Sequence, residues 1–579
     1  MNPPGHGSSS GSELFPTFDD KTTNATTAPP QNEKKDGSAN GAAVVVVDAG
    51  LKSLDHYRAA LPNWRYNFRN WLLPLVRWET PYLAAFQSRV RTPALDSYFA
   101  ITANLGTHTF FMIGLPILFW CGFRDFGKGL VHILAQGVFF TGFLKDMVSL
   151  PRPLSPPLHR ITMSGSAALE YGFPSTHSAN AVSVAVYAIL ALRSDSNSYS
   201  PTTTLALEGL AYFYALSIII GRLYCGMHGF LDVIIGSIMG AIISFVEFYY
   251  APALENWLYS SKYIAPLIFV LTILVLVRIH PEPVDDCPCF DDSVAFAGVY
   301  IGLEIGMWRF ARFSEWVEIY NGPDATFSLA AMGWARSVAR MVVGVLMIFA
   351  WREVMKPIML TVLPHIYRAI ETRGLSLPRR FFVPASEYKD VPLHVRDDNV
   401  IPSVSDIPKM MRSIRGPGRG RAVSIGPQSA ADAYETLAYR ERRRRESMDS
   451  EGGVRSKTSL VGLREKASAA AEEHDLANGK SSGVQSGNGR VVEFEKMMGT
   501  LPGESAVVDS PSPADEGQEE DELGEKEVFS QLVKPRVRYD VEVVTKLVVY
   551  TGIAWLAVDL ILETFELIGL GAGHLLATA

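Results

Sequence analysis

The strongest constraint on this chain is a run of residues, 97–123, that contains no Asp, Glu, Lys or Arg. A helix of that length crosses a hydrocarbon core of about 30 Å. Further apolar stretches follow at 127–148, 175–193, 204–222, 229–250, 263–280 and 294–311, with weaker ones at 338–364 and 541–566. Inside lipid each span must satisfy its own backbone hydrogen bonds, which favours helices. The period-two alternation of a barrel strand is absent from these stretches. The expected fold is all-α: a polytopic membrane bundle of about 8–9 transmembrane helices, with a disordered N-terminal tail and a long disordered loop.

Composition supports that division. Hydrophobic residues make up 48% of the 579 residues and charged residues only 20%, whereas soluble domains average about 25% charged. Residues 1–50, rich in Ser, Thr, Asn, Gly and Pro, read as a disordered tail, and no secretory signal pattern opens the chain. Residues 51–96 mix Trp64, Trp71 and Trp78 with several arginines and read as an interfacial segment, with a soluble helical pair as the other reading. Residues 97–311 form the transmembrane core. Residues 312–394 add a membrane helix and a connection, 395–533 form the disordered loop, and 534–579 hold a last span. The loop carries basic and acidic blocks and two basophilic kinase-like sites, at Ser424 and Ser447. The net charge of −7 argues against a nucleic-acid partner. Four cysteines exclude a disulfide scaffold, and the pair Cys287 and Cys289 is too small a ligand set for structural zinc.

Charge at the ends of apolar spans marks candidate function, because burying it is costly. Three clusters qualify. Lys145 and Arg152 close the second span, and Pro174-Ser175-Thr176-His177 opens the third. Arg222 closes the fourth, and His228 and Asp232 open the fifth. Consecutive spans alternate in direction, so all three clusters belong at one mouth of the bundle. Guanidinium forks match phosphate oxygens, and Lys adds a point charge. Ser175 or Thr176 is placed to cap the third helix, whose N-terminal dipole favours an anion. His228 and Asp232, four apart, share a helix face, so the carboxylate can hold one ring nitrogen protonated and leave the other nucleophilic. His177 is the candidate general acid. Such a set suits phosphoryl transfer through a phosphohistidine. Asp146 reads as a supporting residue. Glu208, Glu247, Glu304, Asp559 and Glu563 read as helix-end or interhelical groups.

The three motifs resemble the type 2 phosphatidic acid phosphatase superfamily. The stretches 170–178 (EYGFPSTHS) and 226–232 (GMHGFLD) resemble its sphingosine-1-phosphate, or long-chain-base phosphate, phosphatases. The resemblance covers about residues 95–310. It implies an endoplasmic-reticulum, multi-pass lipid phosphatase that needs no metal or cofactor and has a lumenal active site. It also implies His228 as nucleophile, Asp232 as its partner and His177 as acid, with Lys145, Arg152, Ser175, Thr176 and Arg222 around the phosphate. Thr176 stands where the superfamily usually has Gly, which points to the sphingoid-base branch. Gly221 stands where Ser is common. Two other readings are a broader lipid phosphatase acting on phosphatidate or polyprenyl pyrophosphate, and a non-catalytic transporter or scaffold. Orientation signals conflict. Arginines before the first span favour the cytoplasm for the active-site face, whereas Arg124 and Lys128 between the first two spans favour the opposite face.

Overall fold

The computed structural model describes residues 49–571, apart from 53, 104–107, 156, 162–169, 195–197, 286, 315–328, 375–381 and 392–537. Most of the 1–50 tail and the whole 395–533 loop, with Ser424 and Ser447, therefore lie outside the described residues. Thirteen helices run through the described part. They are α1 Leu54–Ala60, α2 Asn63–Val90, α3 Pro93–Ala103, α4 His108–Trp120, α5 Arg124–Val148, α6 Thr176–Leu192 and α7 Pro201–Tyr224. After these come α8 Phe230–Ser260, α9 Ile264–Ile279, α10 Cys289–Phe313, α11 Leu329–Glu371, α12 Val541–Val558 and α13 Leu560–Leu567. No strand occurs among the described residues; one isolated bridge joins Val383 and Tyr539.

The protein is a multi-pass membrane protein. Five helices (α5, α7, α8, α10 and α12) are long and apolar enough to cross a bilayer, and α6 and α9 are shorter apolar helices. The uncharged run 97–123 falls on two helices, α3 and α4. α3 packs on α7 and α4 on α5, so one apolar stretch serves two partners. The weak stretch 338–364 lies inside the much longer α11, and 541–566 divides at Asp559 into α12 and α13.

α5 and α10 form the centre, each 78% buried along its apolar window, while α7 is only 17% buried. The outer faces of α7, α8 and α9 are apolar and exposed (Leu205, Phe213, Tyr249, Ile264 and Val275 among them), as lipid-facing surfaces are. Close helix contact rests on small residues. A Cβ on Gly240 of α8 would lie 2.1 Å from the Ala179 carbonyl of α6, and one on Gly302 of α10 would lie 2.0 Å from that of Thr551 in α12.

The span carboxylates join helices. His132 of α5 lies between Glu247 of α8 (Nδ1–Oε1 2.6 Å) and Glu304 of α10 (Nε2–Oε1 2.7 Å). Lys128 Nζ reaches Glu255 at 2.9 Å and Glu304 at 3.4 Å. Lys128 is 3% exposed, so it is not the loop cation counted in the sequence. Arg193 binds Glu208 at 2.7 Å, and Arg309 binds Asp559 at 2.5 Å.

Candidate active site

α2 holds the motif-bearing ends in place. The last carbonyls of a helix lack intrahelical donors. Arg65 supplies two donors to the end of α5, with Nε on the Met147 carbonyl (2.7 Å) and Nη2 on that of Asp146 (2.5 Å). Arg69 Nε donates to the Ser149 carbonyl at 3.1 Å. Ser149 closes α5 in the left-handed region, at φ 54°. Further along α2, the Glu79 carboxylate accepts the Leu231 N–H at the start of α8 (3.3 Å). Gln87 Nε2 donates to the Tyr224 carbonyl at the end of α7 (2.9 Å). After α7 the chain turns through Gly226 at φ 62°, where a Cβ would also lie 2.9 Å from the His159 carbonyl. Glycine is the residue that meets both demands.

The three sequence clusters do meet. His228 is 1% exposed. Its Nδ1 lies 2.9 Å from the Gly172 carbonyl. A carbonyl only accepts, so Nδ1 carries the proton and Nε2 keeps a lone pair. That lone pair faces Arg152 Nη1 at 3.2 Å. Arg152 Nη1 also donates to the Met227 carbonyl at 2.8 Å. Asp232 Oδ2 lies 3.7 Å from His228 Nδ1 and accepts the Gly229 N–H at 2.8 Å. The ring is therefore oriented first by a backbone carbonyl, with the carboxylate one step further away. Lys145, Arg152 and Arg222 are all buried, and Arg222 Nε has no hydrogen-bond partner among the described residues. Burial, followed by the charges of Arg152, Lys145, Arg222 and His177, pushes the His228 pKa well below its ordinary value. Burial likewise lowers that of Arg152, although Glu170 opposes the shift.

Ser175 is the N-cap of α6; its side chain accepts the Ser178 N–H at 3.3 Å. Ser175 N–H in turn donates to the Asp232 carbonyl at 3.0 Å, which ties α6 to α8. His177 sits half-buried in the first turn of α6. The Thr176 hydroxyl is 3.0 Å from that of Thr141 on α5. Gly221 is also explained, because a Cβ there would meet the Phe99 ring of α3 at 2.9 Å. Asp146 is fully buried, 3.9 Å from His280 Nδ1. Cys287 and Cys289 are joined as a disulfide.

Sequence reasoning assigned no role to Glu170, to the Gly172 carbonyl or to the supports on α2. Glu170 stood inside a quoted motif. Nothing in the sequence marked Arg65, Arg69, Glu79 or Gln87 off from neighbouring polar residues. Further down the bundle, an apolar cavity of about 260 Å³ is walled by Phe139 and Phe140 of α5, Val246 and Leu254 of α8, and Ile273 and Leu276 of α9.

A membrane helix bundle with an uncharged, lone-pair-bearing imidazole among three buried cations at one end is built to receive an anion. Residues 127–255, which contain all three clusters, match the PAP2 superfamily model. The chain is 38% identical to a dihydrosphingosine 1-phosphate phosphatase of Schizosaccharomyces pombe over 323 residues, 55% of this chain and 77% of the relative. It is 34% identical to one of Saccharomyces cerevisiae over 336 residues, 58% of this chain and 81% of that relative. It is 26% identical to human sphingosine-1-phosphate phosphatase 2 over 289 residues, 49% of this chain and 69% of the relative. The chain belongs to the PAP2 superfamily and, within it, to the sphingosine-1-phosphate phosphatase branch. No solved structure matches it.

Proposed function

We propose that this protein hydrolyses sphingoid long-chain-base 1-phosphates to the free base and inorganic phosphate. The yeast relatives named for dihydrosphingosine 1-phosphate support the substrate class. The observation that carries the mechanism is the tautomer of His228, with Nδ1–H on the Gly172 carbonyl and the Nε2 lone pair toward Arg152. When phosphate enters, Lys145, Arg152, Arg222 and the α6 N-terminus take its oxygens, and Arg152 leaves Nε2 to the phosphorus. Nε2 attacks in line, the phosphorus–oxygen ester bond breaks, and His177 gives its proton to the departing alkoxide. Water, losing a proton to His177, then attacks the phosphohistidine. The nitrogen–phosphorus bond breaks and inorganic phosphate leaves. Asp232, at 3.7 Å, steadies the positive ring that forms. The cations supply the charge stabilisation on which phosphoryl transfer rests. The alkyl chain lies between helices, in the direction of the cavity bounded by α5, α8 and α9.

The test is a panel of sphinganine 1-phosphate, phosphatidate and a polyprenyl pyrophosphate, with purified protein in detergent. His228→Ala should lose about a thousandfold or more in turnover, and His177→Ala roughly a hundredfold or more. Full activity of His228→Ala would remove the nucleophile assignment. A preference for phosphatidate would remove the substrate assignment.

We place the protein in the endoplasmic reticulum with the site facing the lumen. Two of the arginines that spoke against a lumenal site, Arg65 and Arg69, are engaged as caps on α5. They are accounted for by the fold, independently of any cytoplasmic preference. Residues 51–96 supply interfacial scaffolding for that end of the bundle. A kinase acting on Ser424 or Ser447 is the competing topological reading.

A further inference from the structure

The cation cradle already holds an anion. Glu170 Oε2 lies 2.9 Å from Arg152 Nη2 and 3.3 Å from Lys145 Nζ. The same residue is pinned through its backbone, where its carbonyl accepts from Arg152 Nε at 3.1 Å. Next to it, Tyr171 donates its hydroxyl to Asp285 at 3.0 Å and accepts the Asp285 N–H at 2.9 Å. One residue further, the Gly172 carbonyl holds His228. This segment is fixed at three successive residues, through the backbone at Glu170 and Gly172 and through the side chain at Tyr171. The Glu170 side chain is 27% exposed.

Phosphate and this carboxylate compete for the same two cations, so an arriving phosphate displaces it. The displaced carboxylate remains within a side chain's reach of the phosphate. In a sphingoid-base 1-phosphate the ammonium sits on the carbon next to the ester carbon, close beside the phosphate. Phosphatidate and simple alkyl phosphates have no cation there.

We propose that Glu170 is the specificity residue of the site. It is the counter-ion of Lys145 and Arg152 when the site is empty, and the acceptor of the substrate ammonium when phosphate has taken those cations. The exchange swaps one carboxylate–cation pairing for another. The binding cost of displacing Glu170 is therefore offset only for substrates that carry the amine. A phosphate monoester without an amine sets its negative charge beside this carboxylate and brings no cation of its own to offset it. This inference rests on the proposed sphingoid-base phosphatase activity.

The experiment compares wild type, Glu170→Gln and Glu170→Asp on sphinganine 1-phosphate and on octadecyl phosphate, a single-chain monoester without the amine. Inorganic phosphate is titrated separately by thermal shift. Wild type should prefer the amine substrate. Glu170→Gln should lose roughly tenfold or more in kcat/KM on it, the worth of a charge-assisted hydrogen bond. On octadecyl phosphate the same variant should hold or gain, and Glu170→Asp should recover part of the preference. Glu170→Gln should also bind inorganic phosphate severalfold more tightly than wild type. An equal loss on both substrates overturns the proposal and leaves Glu170 a structural role. Unchanged or weaker phosphate binding removes the counter-ion role. Wild type that ignores sphinganine 1-phosphate but hydrolyses octadecyl phosphate defeats the activity assignment instead. The phosphate titration still reads the counter-ion role in that case.

Discussion

At the scale of single residues, the site works by making one imidazole uncharged among cations. The depressed pKa of His228 comes from burial first and from Arg152, Lys145, Arg222 and His177 after it. It has a consequence for stability. Unfolded, the ring takes a proton below about pH 6.5; folded, it resists until lower pH. Between those values the unfolded state binds more protons, so stability falls as pH falls. His228 therefore contributes stability that is fully present above about 6.5 and is lost as pH drops toward its folded pKa. Thermal unfolding of the unliganded protein between pH 7.5 and 5 should show a steeper loss for wild type than for His228→Gln. Parallel curves would mean that the ring is not held neutral. Thr176 and Ser175 illustrate another point at this scale. The sequence offered either as the cap of α6; Ser175 takes that place, while the Thr176 hydroxyl faces Thr141.

At the scale of helices, the site depends on how closely α6 and α8 approach. α8 carries Asp232 and follows directly on His228, while α6 carries Ser175 and His177. The contact is made by Gly240, where any Cβ would sit 2.1 Å from the Ala179 carbonyl. Gly240→Leu should push the two helices apart. An overpacked contact costs about 1–3 kcal/mol, read as a lower melting temperature in detergent. It should also lower turnover more than tenfold, because small displacements of a catalytic set are expensive. Wild-type activity in this variant would show that the two helices position the site independently. The buried links of His132 to Glu247 and Glu304 belong to the same scale. In sequence these carboxylates were scattered over α8 and α10, and only the packing of both helices on α5 makes them one network.

At the scale of the molecule, chain direction fixes which segments share a face. α10 begins beside the end of α5: a Cβ on Gly142 would meet Ser293 Oγ at 2.2 Å. α12 runs parallel to α10, with Gly298 on Leu547, Gly302 on Thr551 and Gly306 on Val558. α11 runs back against α12, since Trp351 donates to the Val549 carbonyl and Arg340 to that of Leu570. Ala385 then meets Asp540 at the start of α12 (2.9 Å). Residues 391 and 538, which flank the long undescribed stretch, therefore both lie at the active-site end. A lumenal site and a cytosolic kinase acting on Ser424 or Ser447 exclude each other. Glycosylation sequons placed at residue 450 and in the turn between α6 and α7, at the opposite end, decide it. Modification at 450 only is the expected result. Modification between α6 and α7 only would put the active site in the cytosol.

What the sequence determined by itself is what local chemistry encodes. Lipid forces unbroken apolar runs into helices, and the price of burying charge makes Lys145, Arg152, His177, Arg222, His228 and Asp232 stand out at span ends. Alternation of spans was enough to bring those clusters to one end. Tertiary structure decided everything that needs a partner distant in the chain. The run 97–123 carries two helices, one packed on α7 and the other on α5. His228 took its tautomer from the backbone of Gly172, and a backbone carbonyl has no residue type to announce it. The arginines of α2 became caps for α5, and Glu170 found Lys145 and Arg152. Such roles depend on distances of about 3 Å between residues tens of positions apart, and these are set only when the helices pack.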